Sequence, residues 1–173
     1  MHRRSTLAAL LAWPLLARLA GARPNDLPVP RHDGLRPWGR GSFRRFGFLI
    51  YEASLWAGED PLRPPLAIRL DYKRRISGKD IADASIREMR RFVTDEARLE
   101  MWGKQLEQVF PDVGDGDHLI GLWQPEGAYF YQDWRPLGHI DDALFARAFF
   151  AIWLDEQTSA PDLRTALLKT SAG

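Results

Sequence analysis

The sequence contains no cysteine. Disulfide bonds, thiol catalysis, haem attachment through cysteine and cysteine-ligated zinc are therefore excluded. Long apolar runs are lacking too: the one concentrated stretch, Leu7 to Leu16, is too short for a spanning helix, and Arg18 follows it. Charge of one sign is not in excess either, with 24 Lys+Arg against 23 Asp+Glu. Repeats, low-complexity tracts and linkers to a second domain are missing. The four histidines are scattered, and no nucleophile elbow, phosphate loop or paired metal ligands accompany them.

What is present starts with an export pattern. His2, Arg3 and Arg4 form a basic start, Leu7 to Leu16 an apolar run, and Ala20-Gly21-Ala22 the small residues that a signal peptidase reads. Residues 1–22 read as a signal peptide cleaved after Ala22. The expected location is periplasmic or secreted, with Arg3-Arg4 leaving a twin-arginine route open beside the general one. Membrane association is expected only through an uncleaved signal segment. Without these residues the chain carries 21 Lys+Arg and 23 Asp+Glu, a net charge of −2. The basic balance thus belongs to the signal, and nothing points to nucleic acid. A disulfide-free exported chain must rely on its apolar core, and about 150 residues suffice for one domain of that kind, residues 23–173.

Residues 23–34, "RPNDLPVPRHDG", are rich in proline and turn formers and lead to a first short strand near Leu35 to Arg40. From Phe46 to Trp56 apolar residues fall on both alternating faces, as in a strand buried on both sides, and Arg44 and Arg45 stand at its mouth. Period two puts Arg44 on one face with Phe46, Phe48 and Ile50, and Arg45 on the other with Leu49, Tyr51 and Leu55. A guanidinium in such a place has either water or nearby carboxylates, or else a bound anion that its planar fork can grip. Leu66, Ile68, Leu70 and Tyr72 alternate with polar residues as a half-buried strand, and Arg74 continues the face of Tyr72 or turns to solvent.

Two amphipathic helices follow. Ser77 caps one through Ala82, Ile86, Met89 and Val93, with arginines on its solvated side; the other runs through Leu99, Trp102 and Leu106 and stops at Phe110-Pro111. Asp112, Asp115 and Asp117 lack calcium-loop spacing and read as a polar turn, and His118 and His139 read as residues beside turns. "LIGLW", "AYFY" and "RPLGHI" form a meander. Asp141 or Asp142 caps a helix buried almost all round, and Pro161 opens a last short helix through Leu163 and Leu167. The order is α+β. No metal and no cofactor is expected.

"GRGSFRRFGFLIYEASLW", "PLAIRLDYKRRISGKDIADASIREMRR", "LEQVFPDVGDGDHLIG" and "FARAFFAIWLDEQTSAPDLRTALL" together resemble the bacterial chalcone isomerase-like proteins. The resemblance implies an open-faced β-sandwich: a large antiparallel sheet, helices packed on one face, and a cleft between them. It also implies one of two uses. Plant chalcone isomerases hold a developing oxyanion with arginine and a polar set. The strand threonine of that set aligns with Phe46 here, which donates nothing, so chalcone isomerase activity is not expected. Fatty-acid-binding proteins of the same fold hold a carboxylate with arginine and tyrosine. By that resemblance the ligand-binding candidates are Arg44, Tyr51, Tyr72 and Arg74, for a small hydrophobic or carboxylate-bearing ligand. An isomerase on another substrate and a structural or protein-interaction domain of the envelope are the alternatives.

Overall fold

The computed structural model describes residues 34–169. The signal reading of residues 1–22 and the leader up to residue 33 lie outside that range. Six strands, β1 (Arg36–Arg45), β2 (Phe48–Ala57), β3 (Leu66–Tyr72), β4 (His118–Gln124), β5 (Gly127–Gln132) and β6 (Arg135–Ile140), form one antiparallel sheet. They lie in chain order, each beside the next. Helices α1 (Gly78–Met89) and α2 (Glu96–Val109) sit between β3 and β4, while α3 (Ala143–Leu154) and α4 (Pro161–Leu168) follow β6.

The helix starts follow their side chains. Ser77 Oγ accepts from the Asp80 amide, Asp95 from that of Arg98, and Asp142 from those of Leu144 and Phe145. Each satisfies amides that a first helical turn leaves open, worth about 1 kcal/mol apiece. Asp112, from the aspartate-rich turn, accepts from the Gly78 amide, and Asp117 from that of Gly114.

One face of the sheet takes the helices. Alternation along the strands aims Leu55, Leu66, Ile68, Leu70, Leu119 and Phe130 at Met89, Leu99, Leu106 and the rings of α3. Eight of the twelve α3 residues are buried, including Phe145, Phe149, Phe150 and Trp153. Full burial of such side chains stabilises by roughly 1.5–3 kcal/mol each, which is why α3 can do without a polar face. Trp56, Ala67, Ile120, Leu122 and Tyr131 form a second cluster on the reverse face.

One expectation is corrected. Arg44 and Arg45 do not open the strand that continues to Trp56; they end β1. Phe46 and Gly47, with φ of 51° and 81°, form a two-residue hairpin loop between β1 and β2. The chain reverses there, so Arg44 pairs across the ladder with Leu49 and Arg45 with Phe48. A register shift between Phe43 and Arg44 leaves Ile50 as the extra residue of β2.

Candidate functional site

A cavity of about 440 Å³ lies between the sheet and the helices. Its floor is Tyr51, Ile68, Leu70, Tyr72 and Leu119, and its roof is α1, through Ile81, Ala84, Ser85 and Glu88, with Phe149 and Trp153 of α3. The spacing Ile81, Ala84, Ser85, Glu88 is one helical stripe, so the same periodicity that seats α1 delivers these four to the cleft. Phe43, Arg45 and Ile50 of the β1–β2 hairpin also line it, as do Asp80, Asp83 and Arg87 of α1. Volume and apolar lining suit a small organic ligand.

Polar groups inside are few. The Tyr51 hydroxyl accepts a hydrogen bond from Trp153 Nε1 at 3.1 Å. Its ring stacks on Phe43, with centres 5.0 Å apart, and meets the edge of Tyr72 at 5.9 Å. Burial pushes both phenols well above their ordinary value of 10; for Tyr51 the indole bond opposes that rise and the Glu88 charge adds to it. Both are therefore protonated near neutral pH. Since Tyr51 already accepts from the indole, its own proton is available to another acceptor, and the Tyr72 hydroxyl has no bonded partner among the described residues. Two neutral donors thus sit side by side in an apolar chamber. Ser85 Oγ is committed to the Ile81 carbonyl at 2.8 Å. Half-buried Glu88 has no ion-pair partner among the described residues.

The four residues singled out from the sequence separate into two pairs. Tyr51 and Tyr72 line the cavity together. Arg44 and Arg74 do not: Arg44 is exposed and donates to the Gly47 carbonyl at 3.4 Å, and Arg74 is exposed with its guanidinium 4.4 Å from the centre of the Phe48 ring. The hairpin explains the exchange, because reversing at Phe46-Gly47 brings Arg45 rather than Arg44 to the cavity mouth. Phe46 is 87 % exposed and contributes nothing to the lining. Sequence reading missed Glu88, although its place on the Ile81 stripe could have been noticed. It also missed the indole of Trp153, which lies 102 residues from Tyr51 and carries no local signal of that bond.

His118 belongs elsewhere, on the reverse side of the sheet. Its Nδ1 is 3.5 Å from Arg69, which is forked onto Asp71, and its Nε2 lies 3.0 Å from Asp133 but off the line of a hydrogen bond. No group of three or more residues able to hold a metal occurs among the described residues.

Comparison with known proteins gives three findings. The chalcone isomerase-like family model matches residues 39–169. An uncharacterised protein of Haemophilus influenzae (strain Rd) is 27 % identical over 136 residues, covering 77 % of this chain and 67 % of that protein. Among solved structures, a fatty-acid binding protein of Arabidopsis thaliana superposes with a TM-score of 0.62 at 12 % identity, over 79 % of this chain and 87 % of its own. At that identity the likeness is one of fold: six antiparallel strands under four helices.

Proposed function

The chain belongs to the chalcone isomerase-like family, and we propose that it is a non-catalytic binder that takes a small hydrophobic or fatty-acid-like ligand into the cleft. One observation carries this reading: the apolar cavity of about 440 Å³ whose lining includes two neutral donors, Tyr51 and Tyr72. Neither donor carries a positive charge, and a carboxylate placed beside them would remain uncompensated. The apolar body of the ligand therefore goes in, and an ionised head stays at the mouth beside Arg45 and Arg87. Tyr51 and Tyr72 offer anchors to any oxygen carried on the buried part. That a protein of the same fold from Arabidopsis thaliana is a fatty-acid binding protein supports the reading.

Filling the cavity tests the reading. Ala84 is half-buried on the α1 stripe, and Ala84→Trp places an indole where the ligand body would lie. Titration with a fluorescent long-chain fatty acid should show saturable uptake by the parent and a loss of at least tenfold in the variant. Equal uptake by both, with circular dichroism unchanged, removes the cleft as the site. Mass spectrometry of a lipid extract from purified protein identifies what it carries.

A second reading has its own observation. Glu88, beside two phenolic donors, provides a base and an oxyanion cradle of the kind that a proton-transfer isomerase needs. On chalcone itself no turnover is expected, and cyclisation that follows protein concentration and disappears in Glu88→Gln would overturn the non-catalytic reading.

Export remains part of the proposal, with cleavage after Ala22 and a periplasmic or secreted product. N-terminal sequencing of the cellular protein should begin at Arg23; material beginning at Met1 rules the cleavage out.

A further inference from the structure

The β1–β2 hairpin ends in a surface of which ligand binding in the cleft uses only Arg45, at the mouth. Both residues of its loop have positive φ, where glycine, asparagine or aspartate ordinarily serves. A phenylalanine at 46 is strained there, and it gains no packing in return, being 87 % exposed; Phe48 is 57 % exposed. Core packing thus explains neither ring. Arginines surround them: the Arg45 guanidinium lies 5.3 Å from the Phe46 ring centre and that of Arg74 lies 4.4 Å from Phe48, with Arg44 bonded only to the Gly47 carbonyl. None of the three pairs with a carboxylate among the described residues, and residues 42–48 include no acidic side chain.

We propose that this tip docks the protein on an anionic phospholipid surface, with Phe46 and Phe48 entering the boundary between headgroups and acyl chains and Arg44, Arg45 and Arg74 meeting lipid phosphates. Aromatic rings partition into that boundary, and the guanidinium fork matches phosphate. Position also favours a bilayer over an acidic protein partner. Phe43, Arg45 and Ile50 of the same hairpin line the cleft, so a docked tip holds the mouth of an apolar chamber against the membrane, and a ligand can enter without crossing water. Docking stands on the hairpin alone; loading of the cleft rests on the ligand-binding reading above. The start of the chain suggested membrane contact through residues 1–22 only, and the tip supplies a second route.

The absence of cysteine makes the test specific to this site. Phe46→Cys in the full chain gives a single attachment point for an environment-sensitive dye. Vesicles of phosphatidylcholine mixed with phosphatidylglycerol should shift its emission to the blue, and vesicles of phosphatidylcholine alone should not. The same dye at Met101→Cys should respond to neither, since Met101 is an exposed residue of α2, which packs toward β6 at the opposite edge of the sheet. In co-sedimentation with the mixed vesicles, Phe46→Ser combined with Phe48→Ser should lower the bound fraction. Each of Arg44→Ala, Arg45→Ala and Arg74→Ala should weaken partition roughly fivefold at low salt. All these positions are exposed, so circular dichroism should not change. No shift at position 46 on anionic vesicles, equal shifts at 46 and 101, or undiminished sedimentation of the double variant each overturns the proposal. So does a shift induced by an acidic polypeptide and not by vesicles, which would assign the tip to a protein. No arm uses a cleft ligand, so these outcomes are separate from the fate of the binding reading.

Discussion

Tyr51 and Tyr72 sit on neighbouring strands, opposite each other in the β2–β3 ladder, yet removal of their hydroxyls should have different effects. Tyr51→Phe leaves the Trp153 indole N–H without its acceptor in a buried place, and unfolding free energy in urea should fall by about 1–3 kcal/mol. Tyr72→Phe strands no protein group, so stability should stay within about 0.5 kcal/mol of the parent. Ligand affinity reverses the emphasis: a ligand with a buried acceptor oxygen should bind Tyr72→Phe more weakly by about 0.5–1.5 kcal/mol, read by calorimetric titration. At the mouth, Arg45→Ala should weaken a carboxylate ligand by up to about 1 kcal/mol, as expected of a solvent-exposed charge contact, and Arg44→Ala should leave it unchanged.

Among the elements, β1 and α4 are joined by closeness rather than by side-chain bulk. A Cβ on Gly39 would meet the carbonyl oxygens of Ala166 and Leu167, and one on Gly41 would lie 2.8 Å from Ala166 Cβ and Leu163 Cδ1. Backbone cannot yield as a flexible side chain would, so Gly39→Ala should lift α4 from β1 and lower stability by about 1–3 kcal/mol in urea unfolding. Periodicity made most elements legible. Ser77 and the pair Asp141-Asp142 marked helix starts, Phe110-Pro111 marked a stop, and the alternation Leu66 to Tyr72 marked a strand. The failure fell at one loop. Phe-Gly lacks the residue chemistry that announces a tight hairpin, and the apolar run on either side of it concealed the reversal. That slip moved Arg44 out of the site and hid the exposure of Phe46 and Phe48. Tyr51 and Tyr72 were reached through the family resemblance, helped for Tyr72 by the alternation from Leu66, whereas the stretch around Tyr51 reads as apolar on both faces. Glu88 was passed over because the stripe used to find the helix, Ala82, Ile86, Met89 and Val93, does not include it. Trp153 was passed over because the partner of its indole is set by tertiary packing alone.

For the whole molecule, one pH response comes through His118. Burial holds its imidazole below the ordinary 6.5, with the Arg69 charge adding to the shift and Asp133, Asp71 and Asp117 opposing it. An unfolded chain therefore takes up this proton at higher pH than the folded one. Its contribution to stability is complete above pH 6.5 and declines as pH falls from there toward the lower folded value. Urea unfolding between about pH 7 and about pH 5 should show that decline, with His118→Gln flattening it.

The contact between α4 and β1 also has a consequence in time. A ribosome makes β1 first among these ten elements and α4 last. While the rest of the meander is being assembled, the glycine face of β1 has nothing to lie against, because its cover has not yet been synthesised. Every strand, β1 included, finds a sheet neighbour within the next stretch of chain, or once α1 and α2 have passed. Assembly of the sheet can thus run with synthesis, whereas sealing of its first edge must wait until α4 emerges.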